Sequence, residues 1–174
     1  NLSGVMLGLT RTPASYDLLG GNGADGWNLA SGNQHQYFFV YDNPHWTANM
    51  NPNTNKVNRV IGNVDANYAP TSWLNIAYKI GTDVYSEARK QIFAVHSWDP
   101  PNPTGQIEEF NQSSREVYSD LIVSLSKKLT SDLSTNFSIG NNFNHRESQQ
   151  LYLRGRDMGI IGFNNLSNTP DLYA

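Results

Sequence analysis

Through the middle of the chain, apolar and polar side chains alternate with a period of two. Between Trp73 and Tyr85, Leu74, Ile76, Tyr78, Ile80 and Val84 fall on one face, while Asn75, Lys79 and Asp83 fall on the other. That spacing makes a β-strand with one apolar and one wet side. Val57 to Ala69 forms a similar run, joined to it by Pro70-Thr71-Ser72. A second pair repeats the layout. Val117, Leu121, Val123, Leu125 and Leu129 alternate with Tyr118, Asp120, Ser124, Ser126 and Lys128. After Thr130-Ser131-Asp132, Leu133, Phe137, Ile139 and Phe143 alternate with Ser134, Asn136, Ser138, Asn142 and Asn144. The spacing predicts four strands, at residues 57–69, 73–85, 117–129 and 133–145, in an antiparallel meander.

Ordinary strands run to about 5–6 residues, whereas a strand that crosses a membrane as part of a barrel needs about 9–11. These runs have membrane length. Short breaks follow the first and third strands, and long segments, 1–56, 86–116 and 146–174, fall at the opposite ends. Outer-membrane barrels show the same asymmetry of short periplasmic turns and longer extracellular loops. The expected fold is therefore all-β, an antiparallel up-and-down β-meander that forms part of a transmembrane β-barrel with long extracellular loops. Aromatic residues support that reading. Tyr68 and Trp73 flank the first turn, and Tyr85, Tyr118, Phe143 and Tyr152 fall near the far ends, as the two interface girdles of a barrel would.

Within the long segments, residues 1–35 read as loop, most weakly ordered at Leu19 to Gly26, with a short strand expected at Gln36 to Tyr41. Gln91 to His96 and Gln106 to Phe110 read as strand extensions around the proline-rich tip Asp99 to Gly105.

Composition narrows the function classes. The 174 residues carry 12 Lys and Arg against 15 Asp and Glu, a net charge of −3, with the basic residues scattered. Such a surface has no attraction for a phosphate backbone, so no nucleic-acid partner is expected. The chain has no cysteine, which removes disulfides, thiolate metal sites and thiol nucleophiles from consideration. No apolar stretch reaches the roughly 18–20 residues of a transmembrane helix.

Candidate chemistry is sparse. Gly21-Asn22-Gly23-Ala24-Asp25-Gly26 matches G-x-G-x-x-G, but a dinucleotide fingerprint needs a strand before it and a helix after it. His35, His45, His96 and His145 are too dispersed to pair on a metal. Glu108 and Glu109 are adjacent, so on a strand they face opposite ways and cannot share a substrate atom. No G-x-S-x-G elbow is present. Sequons begin at Asn1, Asn111, Asn136 and Asn165, and the one at Asn136 sits on a polar strand face, where chance accounts for it. No catalytic residue, metal or cofactor is expected, and the chain reads as a non-enzyme.

Five stretches in order carry a family likeness: Leu9-Thr10-Arg11-Thr12-Pro13, Asp42 to Asn49, Val57 to Asn63, Trp73 to Asp83, and Gly162 to Asn168. Together they resemble the barrel of SusC/RagA-type TonB-linked (TonB-dependent) outer-membrane receptors, over nearly the whole chain; His45 stands where that family more often has tyrosine. The resemblance implies energised import of a glycan or peptide ligand through a plugged barrel in the outer membrane of a Gram-negative bacterium. It further implies a SusD-like surface lipoprotein as lid and the TonB complex as driver. No plug domain, TonB box or signal peptide is recognisable, so the chain is expected to be a mid-barrel fragment that self-associates when isolated.

On this reading Asn63, Asp65, Asn67, Asn75, Lys79, Asp83, Asp120 and Asn136 line the lumen or touch the plug, and the opposite faces meet outer-membrane lipid. The loop residues Trp27, Trp46 and Trp98 are candidates for contact with ligand, through stacking on sugar rings or filling the lumen. The competing expectation is a soluble, secreted β-sandwich carbohydrate-binding module, in which the alternating faces form an internal core.

Overall fold

The computed structural model describes residues 4–21, 23–98 and 104–173. Its elements are two short α-helices, α1 (Val5–Arg11) and α2 (Pro44–Met50), a single 3-10 turn (Leu166–Asn168) and five strands. The strands are β1 (Asn53–Thr71), β2 (Leu74–Phe93), β3 (Gln106–Lys128), β4 (Ser134–Arg156) and β5 (Asp171–Tyr173). They form one antiparallel up-and-down sheet in the order β1-β2-β3-β4-β5. The fold is all-β, and the meander read from the alternation is present.

The strands are longer than the alternation indicated, at 19, 20, 23 and 23 residues for β1 to β4. That is about twice what a bilayer crossing requires. Within the segment 86–116, the extensions expected at Gln91 to His96 and Gln106 to Phe110 are strand at Gln91 to Phe93 and throughout Gln106 to Phe110, and residues 86–90 and 111–116, expected as loop, are strand as well. Likewise β4 continues to Arg156 and β5 pairs with its end, Arg154 opposite Tyr173, in what was expected to be the loop 146–174. Residues 1–56 hold both helices. The tip residues 99–103 lie outside the described residues.

Contacts divide the chain into two compact units, Asn1–Lys56 with Ala88–Asn111 and Leu151–Ala174, and Val57–Glu87 with Gln112–Gln150.

The second unit is built from strands alone. Its first turn is tighter than expected, since β1 runs through Pro70 to Thr71 and only Ser72-Trp73 separate it from β2. Pro70, which lacks an N–H for the ladder, lies one residue from the end of β1, beside the turn. The second turn is closed by Leu129 N–H and Thr130 N–H, both donating to the Leu133 carbonyl at 2.8 and 3.1 Å. Val60, Val64, Phe137 and Ile139 are 59–66% exposed. No second layer covers the apolar face among the described residues, so the two-sheet core of a sandwich is not what the chain forms.

Aromatic placement departs from the girdle expectation. Tyr68, Tyr78 and Phe143 have the parity of the apolar face. Tyr85 donates to the Glu87 carboxylate at 2.6 Å, Tyr118 packs on Gly81, and Tyr152 interacts with Glu108, all on the polar side. Of the four residues expected at the far rim, Phe143 alone faces the apolar side.

The first unit contains the buried core: Trp27, Tyr41, Trp46, Ile92, Phe93, Ile107 and Met158. Asn43 caps α2, accepting from the His45 N–H at 2.8 Å, and Pro44 starts the helix where its missing N–H costs nothing. A Cβ on Gly8 of α1 would lie 3.1 Å from Pro44 Cγ and 3.2 Å from the Asp42 carbonyl, so the two helices meet where a side chain is absent. The short strand expected at Gln36 to Tyr41 is instead a bend. The Gln36 side-chain amide donates to the Phe38 and Tyr41 carbonyls and so competes with a ladder for them. Leu19 and Gly21 donate to the Asp17 carboxylate at 2.9 and 2.6 Å in a glycine-rich turn, and no helix follows it. The dinucleotide geometry is absent from these described residues.

Candidate functional site

The polar side of the second unit is stitched together across strands. Arg59 of β1 binds Asp83 of β2 through two bonds, Nε to Oδ1 at 3.0 Å and a terminal nitrogen to Oδ2 at 2.6 Å. Lys79 reaches Asp65 at 3.8 Å, and Asn63 donates to Asp65 at 2.7 Å. Between β3 and β4, Glu116 accepts from Arg146 at 2.5 and 3.0 Å and from Asn144 at 2.9 Å. Asn142 donates to Asp120, Ser126 to Asn136 at 3.3 Å, and Ser124 pairs with Ser138 at 2.9 Å. These are the cross-strand pairs that a period of two aligns on one face.

Those contacts bring together most of the residues read as lumen candidates. Asp65, Lys79, Asp83, Asp120 and Asn136 each meet a residue on the neighbouring strand, and Asn63 joins them through Asp65. Asn67 and Asn75 share the face by parity, two residues from Asp65 and four from Lys79. Arg59, Glu116, Tyr118, Asn142, Asn144 and Arg146 were not among the candidates, although counting in twos from Asp65, Asp120 or Asn136 finds all of them. Three large aliphatic residues break the pattern. Val57, Ile61 and Ile122 have polar-face parity, and Ile122 lies 3.7 Å from where a Cβ on Gly140 would be. A recess of about 400 Å³ opens beside the two ion pairs, lined by Arg59, Asp83, Tyr85, Glu116, Arg146 and their neighbours. Its lining is polar and charged throughout.

The loop tryptophans do different things. Trp27 and Trp46 are 8% and 1% exposed and pack edge to face, with ring centroids 6.2 Å apart. Neither presents an open ring face for stacking on a sugar. Trp98 is 37% exposed, and its backbone N–H donates to Asp42 at 2.7 Å. Around Asp42 lies a buried polar knot. Its carboxylate also accepts from Gln34 at 2.6 Å, Asn51 at 3.3 Å and the Ser97 hydroxyl. Asn51 in turn accepts from the Ala94 N–H at 2.9 Å. Four donors hold the buried carboxylate.

Titratable groups in the first unit are explained by local packing. Burial and the neighbouring Asp17 charge raise the Tyr16 phenol, while burial and Glu108 raise that of Tyr152. His35 stacks on Tyr16 at 5.1 Å between centroids. Glu109 pairs with Lys90 at 2.9 Å and Glu108 accepts from Gln106 at 2.5 Å, so the adjacent carboxylates diverge. No group of His, Asp or Glu among the described residues is arranged to hold a metal ion.

No protein-family model matches the chain, and no curated protein matches it.

Proposed function

We propose that this chain is part of the barrel wall of a SusC/RagA-type TonB-linked outer-membrane receptor, which imports a glycan or peptide in a Gram-negative bacterium. The observation that carries the reading is the division of the second unit. One side is a cross-strand network of ion pairs and amides; the other is a field of aliphatic and aromatic side chains left exposed among the described residues. Water would impose a large cost on that apolar side at about 25 cal/mol per Å². Hydrocarbon would impose none. The polar side then faces a wet lumen or plug, a SusD-like lipoprotein meets the loops, and the TonB complex acts through parts outside these residues.

The test uses the absence of cysteine. Single cysteines at Val64, Ile139, Asp65 and Asn136 in the membrane-reconstituted receptor would carry nitroxide labels for collision measurements. The labels at 64 and 139 should collide with oxygen dissolved in lipid, and those at 65 and 136 with a water-soluble nickel chelate. Water accessibility at all four positions would end the proposal.

A further inference from the structure

The apolar side of the second unit has an edge. On β2 it runs from Leu74 to Val84 and is followed by Ser86. On β3 it stops at Val117, beyond which come Arg115 and Ser113, and on β4 at Phe143, beyond which come His145, Glu147 and Gln149. Ser119 and Asn141 interrupt it, the serine donating to the Tyr78 hydroxyl at 3.3 Å. From Leu74 to Val84 the chain advances about 33 Å, or about 25 Å in height at a strand tilt near 40°. That equals the height of the apolar band on membrane barrels, about 25 Å. Polar groups therefore begin on this side at the level where, in a bilayer, hydrocarbon gives way to headgroups.

At that level lies a notch of about 220 Å³, whose apolar-side lining is Val84, Ser86, Ser113, Arg115, Glu147 and Gln149, all of the second unit. The Asp120–Asn142 and Glu116–Arg146 contacts fix the register of β3 and β4, and it sets Arg115 directly opposite Glu147. Side chains so placed have Cβ atoms about 4.5–5.5 Å apart. Both are exposed, yet they form no ion pair, and neither has a side-chain hydrogen bond among the described residues. The other two arginines of this unit are paired, Arg59 with Asp83 and Arg146 with Glu116. A guanidinium and a carboxylate side by side, each open, suit a ligand that carries both charges: phosphate oxygens accept from the arginine and an ammonium donates to the glutamate. Ser86 and Ser113, the next residues along the same side, add two hydroxyl donors for the phosphate.

We propose that this notch binds the headgroup of a phosphoethanolamine lipid, its phosphate on Arg115, Ser86 and Ser113, its ammonium on Glu147, and its acyl chains along Val84 and Val117. The notch is smaller than the roughly 300–1,000 Å³ of sites that enclose a whole ligand, in keeping with a headgroup whose chains stay outside. An anionic headgroup fits less well, because it brings no ammonium to neutralise Glu147. The inference rests on the barrel-wall reading and deepens it by naming the lipid.

The test follows the arginine Nε–Hε resonances of the full chain in dodecyl maltoside micelles, where Arg115→Lys identifies the relevant one by its loss. Dihexanoylphosphatidylethanolamine should shift it and saturate. Dihexanoylphosphatidylglycerol, which has the phosphate without the ammonium, should bind about fivefold more weakly, the most that an exposed ion pair contributes, and Glu147→Gln should erase that difference. Glycerophosphoethanolamine, the headgroup without chains, should bind more weakly than the lipid by about tenfold or more, for want of apolar contact. A resonance indifferent to the ethanolamine lipid, equal Kd values for the two lipids, a difference that survives Glu147→Gln, or a bare headgroup that binds as tightly as the lipid would each overturn the proposal. The nitroxides at 64 and 139 read the barrel wall separately. If they collide with oxygen in lipid while Arg115 ignores the ethanolamine lipid, the wall stands and the headgroup site falls.

Discussion

The sharpest prediction concerns Gly81. A Cβ built there would lie 2.3 Å from Tyr118 Cζ and 2.5 Å from both Cε1 and the hydroxyl, far inside van der Waals contact. The tyrosine ring therefore occupies the place where a side chain on β2 would be, and Gly81 is buried beneath it. Gly81→Ala must push the ring aside, an overpacking that costs roughly 1–3 kcal/mol. Removing the ring first should remove the cost. In a Tyr118→Ala background the same glycine substitution should be neutral, or stabilising by about 0.5–1 kcal/mol, because alanine restricts the unfolded chain more than glycine does. The assay is a double-mutant cycle by urea unfolding of the refolded protein in micelles, reading a coupling of about 2 kcal/mol between neighbouring sites. If Gly81→Ala cost the same with and without the Tyr118 ring, the steric account would be refuted.

Three further outcomes follow from the two units. Ile76→Arg should destabilise the membrane-inserted receptor by about 2–4 kcal/mol and Asn75→Arg by little; equal losses in a refolding titration would refute the facing assignment. Asp42→Asn replaces an acceptor oxygen with an amine that confronts buried donors. It should cost about 2–3 kcal/mol, and hydrogen exchange at the Trp98 N–H should accelerate. Asn43→Ala removes the α2 cap along with donors to the Leu18 and His35 carbonyls, so its loss in thermal stability should exceed the roughly 0.5–2 kcal/mol of a cap alone.

Much of the sheet could be read directly from the residues. At the second turn the strand ends came within one residue, because Leu129 and Leu133 mark both the alternation and the closing hydrogen bonds. Past Tyr85 the signal lapses: Ser86, Glu87, Arg89, Lys90 and Gln91 put polar groups on both faces. The ladder is made by backbone groups that are indifferent to this, and so β2 runs on to Phe93. The polar network was partly legible. Parity reaches Arg59 and Arg146, but that Arg59 chooses Asp83 and Arg146 chooses Glu116 depends on inter-strand register.

By itself, the order of residues determined that the chain forms long strands, that they meander through tight turns, and which side chains share a face. Those properties are local, since successive residues on an extended backbone must point in opposite directions. Tertiary structure decided the rest. The two seven-residue helices are too short to be stable alone and exist where Gly8, Asn43 and Pro44 let them pack and cap. Trp27 and Trp46, read as candidates for touching ligand, became core because distant segments closed over them. A residue's burial is set by what arrives from elsewhere in the chain, and a period of two carries no record of that.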